Sequence, residues 1–190
     1  MTDSLFFDND CLSAFLWVGC ENLLVKLYSG KIIIPKAVYD ELSIPNISHL
    51  KMRMDALISA GNAQIMTIKS GTEAYNLYYR LAFKPEKGNV VIGKGEAASI
   101  ALAKTNAGIL ASNNLKDIAS YVEKMNLKHL TTGDILIAAL EKNLITEPQG
   151  NKIWSGYACQ EKKVRGIIVD RLHTEHFQVR VTVRVRRKNE

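Results

Sequence analysis

The stretch "LFFDNDCLSAFL", residues 5–16, decides the fold. Its first three residues form an uninterrupted apolar run, which predicts a short strand buried on both faces. Two carboxylates follow at once, Asp8 and Asp10, and apolar sequence then resumes at Leu12 in a helical pattern that extends to about Tyr28. Because a buried unpaired charge is strongly unfavourable, acids at the end of a core strand require a partner or a function.

The rest of the chain alternates apolar runs with helical patterns of ten to fifteen residues. The predicted strands after the first are "IIIP" (32–35), "QIMTI" (64–68), "ILAS" (109–112) and "LKHLT" (127–131). This alternation predicts an α/β protein, a three-layer α/β/α sandwich with a central parallel sheet. Ligands bind such sheets outside the carboxyl ends of the strands, which is where Asp8 falls.

Composition limits the class of protein. With 47% apolar and 23% charged residues, the chain can bury an ordinary core and is not expected to be disordered. Three cysteines without a CxxC pair favour a reducing cytoplasm and no structural zinc. The apolar stretch at 12–18 is too short for a membrane span and its flank is acidic, so we expect a cytoplasmic protein without a membrane partner.

The positive charge is concentrated at the C-terminus. Residues 161–190 hold nine Lys and Arg against four acids, which accounts for five of the six net charges. We therefore divide the chain into a body, residues 1–160, and a basic tail, residues 161–190. The tail segment "FQVRVTVRVRR" alternates strictly and predicts a strand, which would form a β-hairpin with "RGIIVDR". Its arginines, Arg180, Arg184 and Arg186, would bind RNA phosphates or form the solvated face of an edge strand.

Further acids follow strands or begin helices at the expected mouth of the sheet. Glu41 lies in the helix after "IIIP", Glu96 opens the helix "GEAASIALA", and Asp117 follows "ILASNN". Carboxylates gathered with Asp8 in this way raise one another's pKa unless a cation neutralises them. Mg²⁺ or Mn²⁺ prefers such oxygen ligands and can activate water against a phosphodiester.

Four stretches in this order resemble the PIN domain family of metal-dependent ribonucleases, which includes many toxins of toxin–antitoxin pairs. They are "FFDNDCLSAF", "IIIPKAVYDEL", "GKGEAASIALA" and "ILASNNLKDI", and the resemblance covers roughly residues 4–145. The GEA helix start is similar to one branch of the family in particular. The resemblance implies cleavage of RNA, a homodimer and, for a toxin, a small antitoxin protein as partner.

The resemblance also implies roles for individual residues. By this resemblance Asp8, Glu41 and Glu96 would be the first, second and third catalytic acids. Asp117 would reach back from its helical turn as a further catalytic residue, or the site would have three acids. Asp8, Glu96 and Asp117 would hold the metal. The supporting residues would be Asp10, Ser112, Asn113 and Asn114, and the body residues that bind RNA would be Lys94 and Lys116. One departure stands out, because Asn114 occupies the place where many PIN nucleases have an aspartate. Its carbonyl oxygen can ligate a metal but supplies no charge.

Each acid also has a purely structural interpretation. Asp8 and Asp10 suit helix capping, Glu41 suits a solvated helix face, and Glu96 and Asp117 suit the positive end of a helix dipole. Asp134 in "TTGDIL" is predicted to be a capping acid. The tyrosines of "YNLYYRL" have helical spacing, which is typical of core aromatics more often than of base-stacking surfaces.

Two other functions remain open from sequence. A PIN fold that has lost its fourth acid would bind RNA or a protein without cleaving it. A haloacid dehalogenase-type phosphatase would use Asp8 as nucleophile and Asp10 as acid–base. That family needs Thr or Val where this chain has Leu12.

Overall fold

The computed structural model describes residues 3–85 and 91–165, with side chains described as far as Tyr157. Within these residues the strands form one parallel sheet of order β3-β2-β1-β4-β5. The strands are β1 (Leu5–Phe7), β2 (Ile32–Pro35), β3 (Ala63–Met66), β4 (Ile109–Ala111) and β5 (Lys128–Leu130). The predicted α/β/α sandwich with a central parallel sheet is confirmed.

Helices cover both faces of the sheet. They are α1 (Asn9–Val18), α2 (Glu21–Tyr28), α3 (Lys36–Glu41), α4 (Ser48–Ser59), α5 (Glu73–Phe83), α6 (Lys94–Thr105), α7 (Leu115–Lys124), α8 (Thr132–Glu141) and α9 (Glu147–Arg165). The single helical pattern predicted up to Tyr28 is two helices. Gly19 ends α1 in the left-handed conformation, at φ 68°, and its N–H bonds back to Leu16.

The two faces of the sheet carry separate hydrophobic clusters. Phe6 and Phe7 are both fully buried, yet they belong to opposite clusters, because successive strand side chains point to opposite faces. Phe7 packs with α1, α4 and α8, whereas Phe6 packs with α5, α6 and α7. Burial on both faces explains why β1, β2 and β4 are apolar without alternation, whereas the edge strands β3 and β5 contain exposed polar residues.

The strand order places a topological switch at the centre of the sheet. From β1 the chain proceeds outward to β2 and β3, then returns to pair β4 on the other side of β1. The loops that leave β1 and β4 therefore diverge, and a crevice forms between them at the carboxyl edge. Asp8 after β1 and Ser112 after β4 meet at this edge.

The basic tail is largely outside the described residues. Helix α9 crosses the predicted boundary at 160–161 and continues to Arg165. The predicted strand at 177–186, with Arg180, Arg184 and Arg186, lies beyond the described part, so the tail hairpin stays a prediction. Among the described residues, no single helix is both long and apolar enough to cross a membrane. Helices α1 and α2 meet that criterion only jointly, bent by 117° at their break.

Candidate active site

Asp8 lies at the centre of the carboxyl edge and is 1% exposed. It is the N-cap of α1, and its Oδ1 accepts a hydrogen bond from the Cys11 N–H at 2.8 Å. Its Oδ2 accepts the hydroxyl hydrogen of Ser112, which follows β4. The capping interpretation and the site interpretation are therefore compatible, because one oxygen caps the helix while the other is bound by a residue that follows β4.

The environment of Asp8 disfavours its charged form. Burial raises the pKa of Asp8 to about 8, against the opposing effect of the hydrogen bonds from Ser112 and Cys11. The carboxylates of Asp10 and Glu96 raise this pKa further, which places both within electrostatic reach. At neutral pH Asp8 is therefore largely protonated unless a cation compensates its charge.

Glu96 and Asp117 face each other across Asn114. The Asn114 side-chain amide donates to Glu96 Oε1 at 2.6 Å and to Asp117 Oδ2 at 2.8 Å. Glu96 also accepts the Gly93 N–H at 3.1 Å through its other oxygen, as an acid in a first helical turn often does. Burial raises the pKa of Glu96, and Asp10 and Asp117 add to that rise. Asn114 thus joins the two acids by hydrogen bonds at the position where an aspartate would add a charge.

Glu41 is brought to the same region by α3. Its Oε1 accepts the Gly95 N–H at 2.9 Å, and its Oε2 accepts from the Asn9 side chain at 3.2 Å. A Cβ on Gly95 would lie 2.6 Å from Glu41 Oε2, so only glycine permits this approach. Glu41 is therefore held by residues of α1 and α6 and is not simply a solvated helix acid.

The predicted supporting residues divide by role. Ser112 and Asn114 contact the acids directly, whereas Asn113 does not. The Asn113 side chain instead exchanges two hydrogen bonds of 2.9 Å with Thr132, which ties the end of β4 to the start of α8. Asp10 lies near Asp8 and Glu96, since its charge raises the pKa of both.

Asp134 has the capping role expected of it. It accepts the Thr131 N–H at 2.9 Å, and its own N–H bonds to the Thr131 hydroxyl at 3.1 Å. This reciprocal capping box uses the carboxylate at the start of α8.

Sequence patterns did not single out three residues that shape the site. Asn9 and Gly95 hold Glu41, and the buried Ser99 hydroxyl lies 3.0 Å from the Phe7 carbonyl and 2.9 Å from the Gly95 carbonyl. Ser99 thereby fixes the first turn of α6 against the end of β1. The only sequence signal was the small-residue character of "GEAAS". Small residues allow another element to approach this helix closely, but they do not indicate which element does so.

The donor chemistry of the site suits a hard divalent cation. The acids offer only oxygen ligands. Negative charge is crowded here, because Asp10 and Glu96 raise the pKa of Asp8, and Asp10 and Asp117 raise that of Glu96. Among the described residues, no three His, Cys, Asp or Glu side chains are arranged around a common metal position. Instead hydrogen bonds to Ser112, Asn114 and Gly95 hold the carboxylates. The residues fit Mg²⁺ or Mn²⁺ in chemistry, while the number and identity of ligands stay a prediction.

Two predicted RNA-binding lysines flank the acids. Lys94 begins α6 two residues before Glu96, and Lys116 lies in the first turn of α7 next to Asp117. Both are exposed. The Lys94 Nζ lies 5.9 Å from the centre of the Phe83 ring.

Comparison with known families agrees with this architecture. The PIN domain model of the DUF3368 family matches residues 5–153, well over half of the chain. No curated protein and no solved structure matches the chain. The matched range contains the whole parallel sheet and every acid described above. The chain therefore belongs to the PIN domain family and has that family's nuclease-type fold.

Proposed function

We propose that this protein is a metal-dependent endoribonuclease that hydrolyses RNA phosphodiesters with its clustered acids. One observation carries the proposal: Asp8 and Glu96, from elements far apart in sequence, lie close enough at the carboxyl edge for the Glu96 carboxylate to raise the pKa of Asp8. Burying like charges together is unfavourable, and a bound dication would relieve it. The PIN family membership supports the nuclease class.

In this proposal Asp8, Glu96 and Asp117 hold Mg²⁺ or Mn²⁺. The bound cation would lower the pKa of a coordinated water and offset charge on the phosphate. Ser112 fixes Asp8 by a hydrogen bond to Oδ2. The Asn114 amide donates to both Glu96 and Asp117 and so holds these two carboxylates close together. Glu41, held by Gly95 and Asn9, orients the attacking water.

Positive charges beside the acids would hold the RNA backbone. Lys94 and Lys116 are exposed and sit at the N-termini of α6 and α7, where backbone N–H groups also favour anions. The tail arginines, Arg180, Arg184 and Arg186, complete the proposed RNA contacts. A homodimer, a small antitoxin partner and a cytoplasmic location belong to the same proposal and rest on the family resemblance.

The test combines metal binding with RNA cleavage. Calorimetry with Mn²⁺ and cleavage of a structured RNA would be measured for the wild type, Asp8→Asn and Glu96→Gln. The control is Asp40→Asn, because Asp40 is an exposed acid adjacent to Glu41 that pairs with Lys36. We expect both site variants to lose Mn²⁺ binding and cleavage, and the control to keep them. Cleavage retained by both site variants would refute the assignment.

Asn114 favours one second candidate, a PIN fold that binds RNA without cutting it. Its amide nitrogen supplies no charge where an aspartate is common, and it already satisfies two carboxylates. RNA binding by the wild type without Mn²⁺ uptake or cleavage would select this function. The phosphatase hypothesis has no comparable support, since the family match is to PIN domains.

A further inference from the structure

The exposed face of α5 carries three aromatic rings in a row, which we call the aromatic ridge: Tyr75, Tyr79 and Phe83. The ring centres of Tyr75 and Tyr79 are 6.4 Å apart with planes at 23°, and those of Tyr79 and Phe83 are 5.3 Å apart at 31°. Tyr79 is 39% exposed and Phe83 is 48% exposed. The expectation that the tyrosines of this helix are core residues is therefore wrong for Tyr79. Adjacent exposed rings on one helix indicate a binding surface.

Cations cover the ridge. The Lys84 Nζ lies 5.9 Å from the Tyr79 ring centre, and the Lys94 Nζ lies 5.9 Å from that of Phe83. The exposed Arg80 lines an open cleft of about 520 Å³ together with Tyr75, Asn76 and Tyr79. Helix α5 itself contains one acid, Glu73 in its first turn, and one cation, Arg80 in its last turn. Exposed rings interleaved with cations suit a ligand that has both flat faces and negative charge.

The ridge leads to the acids. Lys94, which covers Phe83, is the first residue of the helix that carries Glu96. Tyr78 meets Phe83 edge to face at 6.0 Å. Burial, and after it the Glu41 carboxylate, raises the pKa of Tyr78, so its phenol lies near Glu41. Lys94 through its place in α6, and Tyr78 through its electrostatic interaction with Glu41, thus link the C-terminal end of the ridge to the candidate active site.

We propose that the aromatic ridge is a stacking platform for unpaired bases of a single-stranded RNA, and that it leads the strand to the carboxylates. Bases take the exposed ring faces, and Lys84 and Lys94 move from the rings to the phosphates. This inference rests on the proposed function for its direction toward the acids. Stacking tolerates any base, so the platform selects single strands rather than a sequence.

A second copy of this chain is a less suitable occupant of the ridge. A two-fold interface centred on it would bring Arg80, Lys84 and Lys94 of one copy close to the same cations of the other. Like charges brought together in this way oppose association. Phosphates complement these charges, whereas an identical ridge does not.

The test measures RNA binding without cleavage. In an Asp8→Asn background with EDTA, fluorescence anisotropy would follow a labelled oligoadenylate and, separately, its duplex with oligouridylate. The disrupting variant is Tyr79→Ala with Phe83→Ala, and the ring-retaining variant is Tyr79→Phe with Phe83→Tyr. The matched control is Met52→Ala, a 66% exposed apolar residue of α4 on the opposite face of the sheet.

We expect the disrupting variant to bind the single strand roughly tenfold more weakly or worse, since two stacked bases are lost. The ring-retaining variant and Met52→Ala should bind like the parent, and duplex binding should change little because its bases already stack. The inference is overturned if the parent does not bind the single strand, if the disrupting variant binds it normally, or if duplex binding falls equally. Sedimentation that shows loss of a dimer with unchanged RNA affinity would assign the ridge to a second copy instead.

The two proposals fail separately. If RNA binding depends on the ridge but the wild-type protein does not cleave RNA in Mn²⁺, this inference stands and the proposed nuclease activity is refuted. If the wild-type protein cleaves RNA in Mn²⁺ but RNA binding does not depend on the ridge, the nuclease activity stands and this inference is refuted.

Discussion

Replacing Asp8 with Asn should stabilise the protein at neutral pH when no divalent cation is present. Asp8 is 1% exposed, and its pKa is raised from 3.8 to about 8, mainly by burial. In Asp8→Asn the side-chain oxygen still accepts the Cys11 N–H. The new amide can donate to the Ser112 oxygen, because a hydroxyl is both donor and acceptor. The substitution therefore removes an unfavourable ionisation while keeping the local hydrogen bonds.

The magnitude follows from proton linkage. Between about pH 4 and pH 8 the unfolded chain has lost the Asp8 proton and the folded protein retains it, so wild-type stability falls as the pH rises. At about 1.4 kcal/mol per pKa unit, this loss reaches at most roughly 4 kcal/mol at pH 7. Because the Asn amide also loses hydration on burial, we expect a net gain on the order of 1–3 kcal/mol at pH 7. As the pH falls toward 4 the ionisation loss disappears, so the gain should shrink and then reverse, because only the hydration cost of the amide remains.

The assay is urea unfolding of both proteins in EDTA at several pH values from 5 to 8. In thermal unfolding, the same gain of about 2 kcal/mol would appear as a rise in Tm of about 4–8 °C for a domain of this size. Adding Mn²⁺ should stabilise the wild type and leave Asp8→Asn unchanged. An Asn variant less stable than the wild type at pH 7 in EDTA would refute the reasoning, as would a stability difference independent of pH.

Three further substitutions test the packing and charge of the site. Gly95→Ala places a Cβ 2.6 Å from Glu41 Oε2. Because alanine favours the helix, the free energy of unfolding should stay within about 1 kcal/mol of the wild-type value. RNA cleavage should fall about a hundredfold, because the Glu41 carboxylate is displaced. Gly108→Ala places a Cβ 2.4 Å from the fully buried Phe6 ring; denaturant unfolding should show a loss of about 1–3 kcal/mol or more. Asn114→Asp exchanges an amide donor for a charge; it should tighten Mn²⁺ binding in calorimetry and reduce stability in EDTA by about 1–2 kcal/mol.

Matched controls separate these effects from general damage. Gly150 lies in α9, and a Cβ there would be 3.5 Å from Ile145 Cδ1, an ordinary van der Waals distance. Gly150→Ala should therefore leave the free energy of unfolding unchanged or raise it slightly. Full cleavage activity in Gly95→Ala would show that the position of Glu41 does not matter. A wild-type free energy of unfolding for Gly108→Ala would contradict the close packing on Phe6. Weaker Mn²⁺ binding by Asn114→Asp would exclude that position from the metal site.

The sequence by itself determined the layers of the fold and the edge at which the acids would gather. Uninterrupted apolar runs such as "LFF" and "IIIP" are typical of strands buried on both faces, and both are strands here. Because parallel strands end at one edge, an acid directly after a strand, such as Asp8, is placed near the crevice by local pattern alone. The same local patterns indicated that Asp134 caps a helix.

Only the tertiary structure decided which residues meet at that edge. Ser112 reaches Asp8 across 104 residues, and Gly95 reaches Glu41 across 54. Neither pairing has a local signature, because it depends on strand order and on how closely two helices approach. The break at Gly19 and the exposure of Tyr79 were likewise hidden, since a hydrophobic period shows a helix face but not whether another element covers it. Periodicity reports what each segment can bury, whereas packing between distant segments selects the partners.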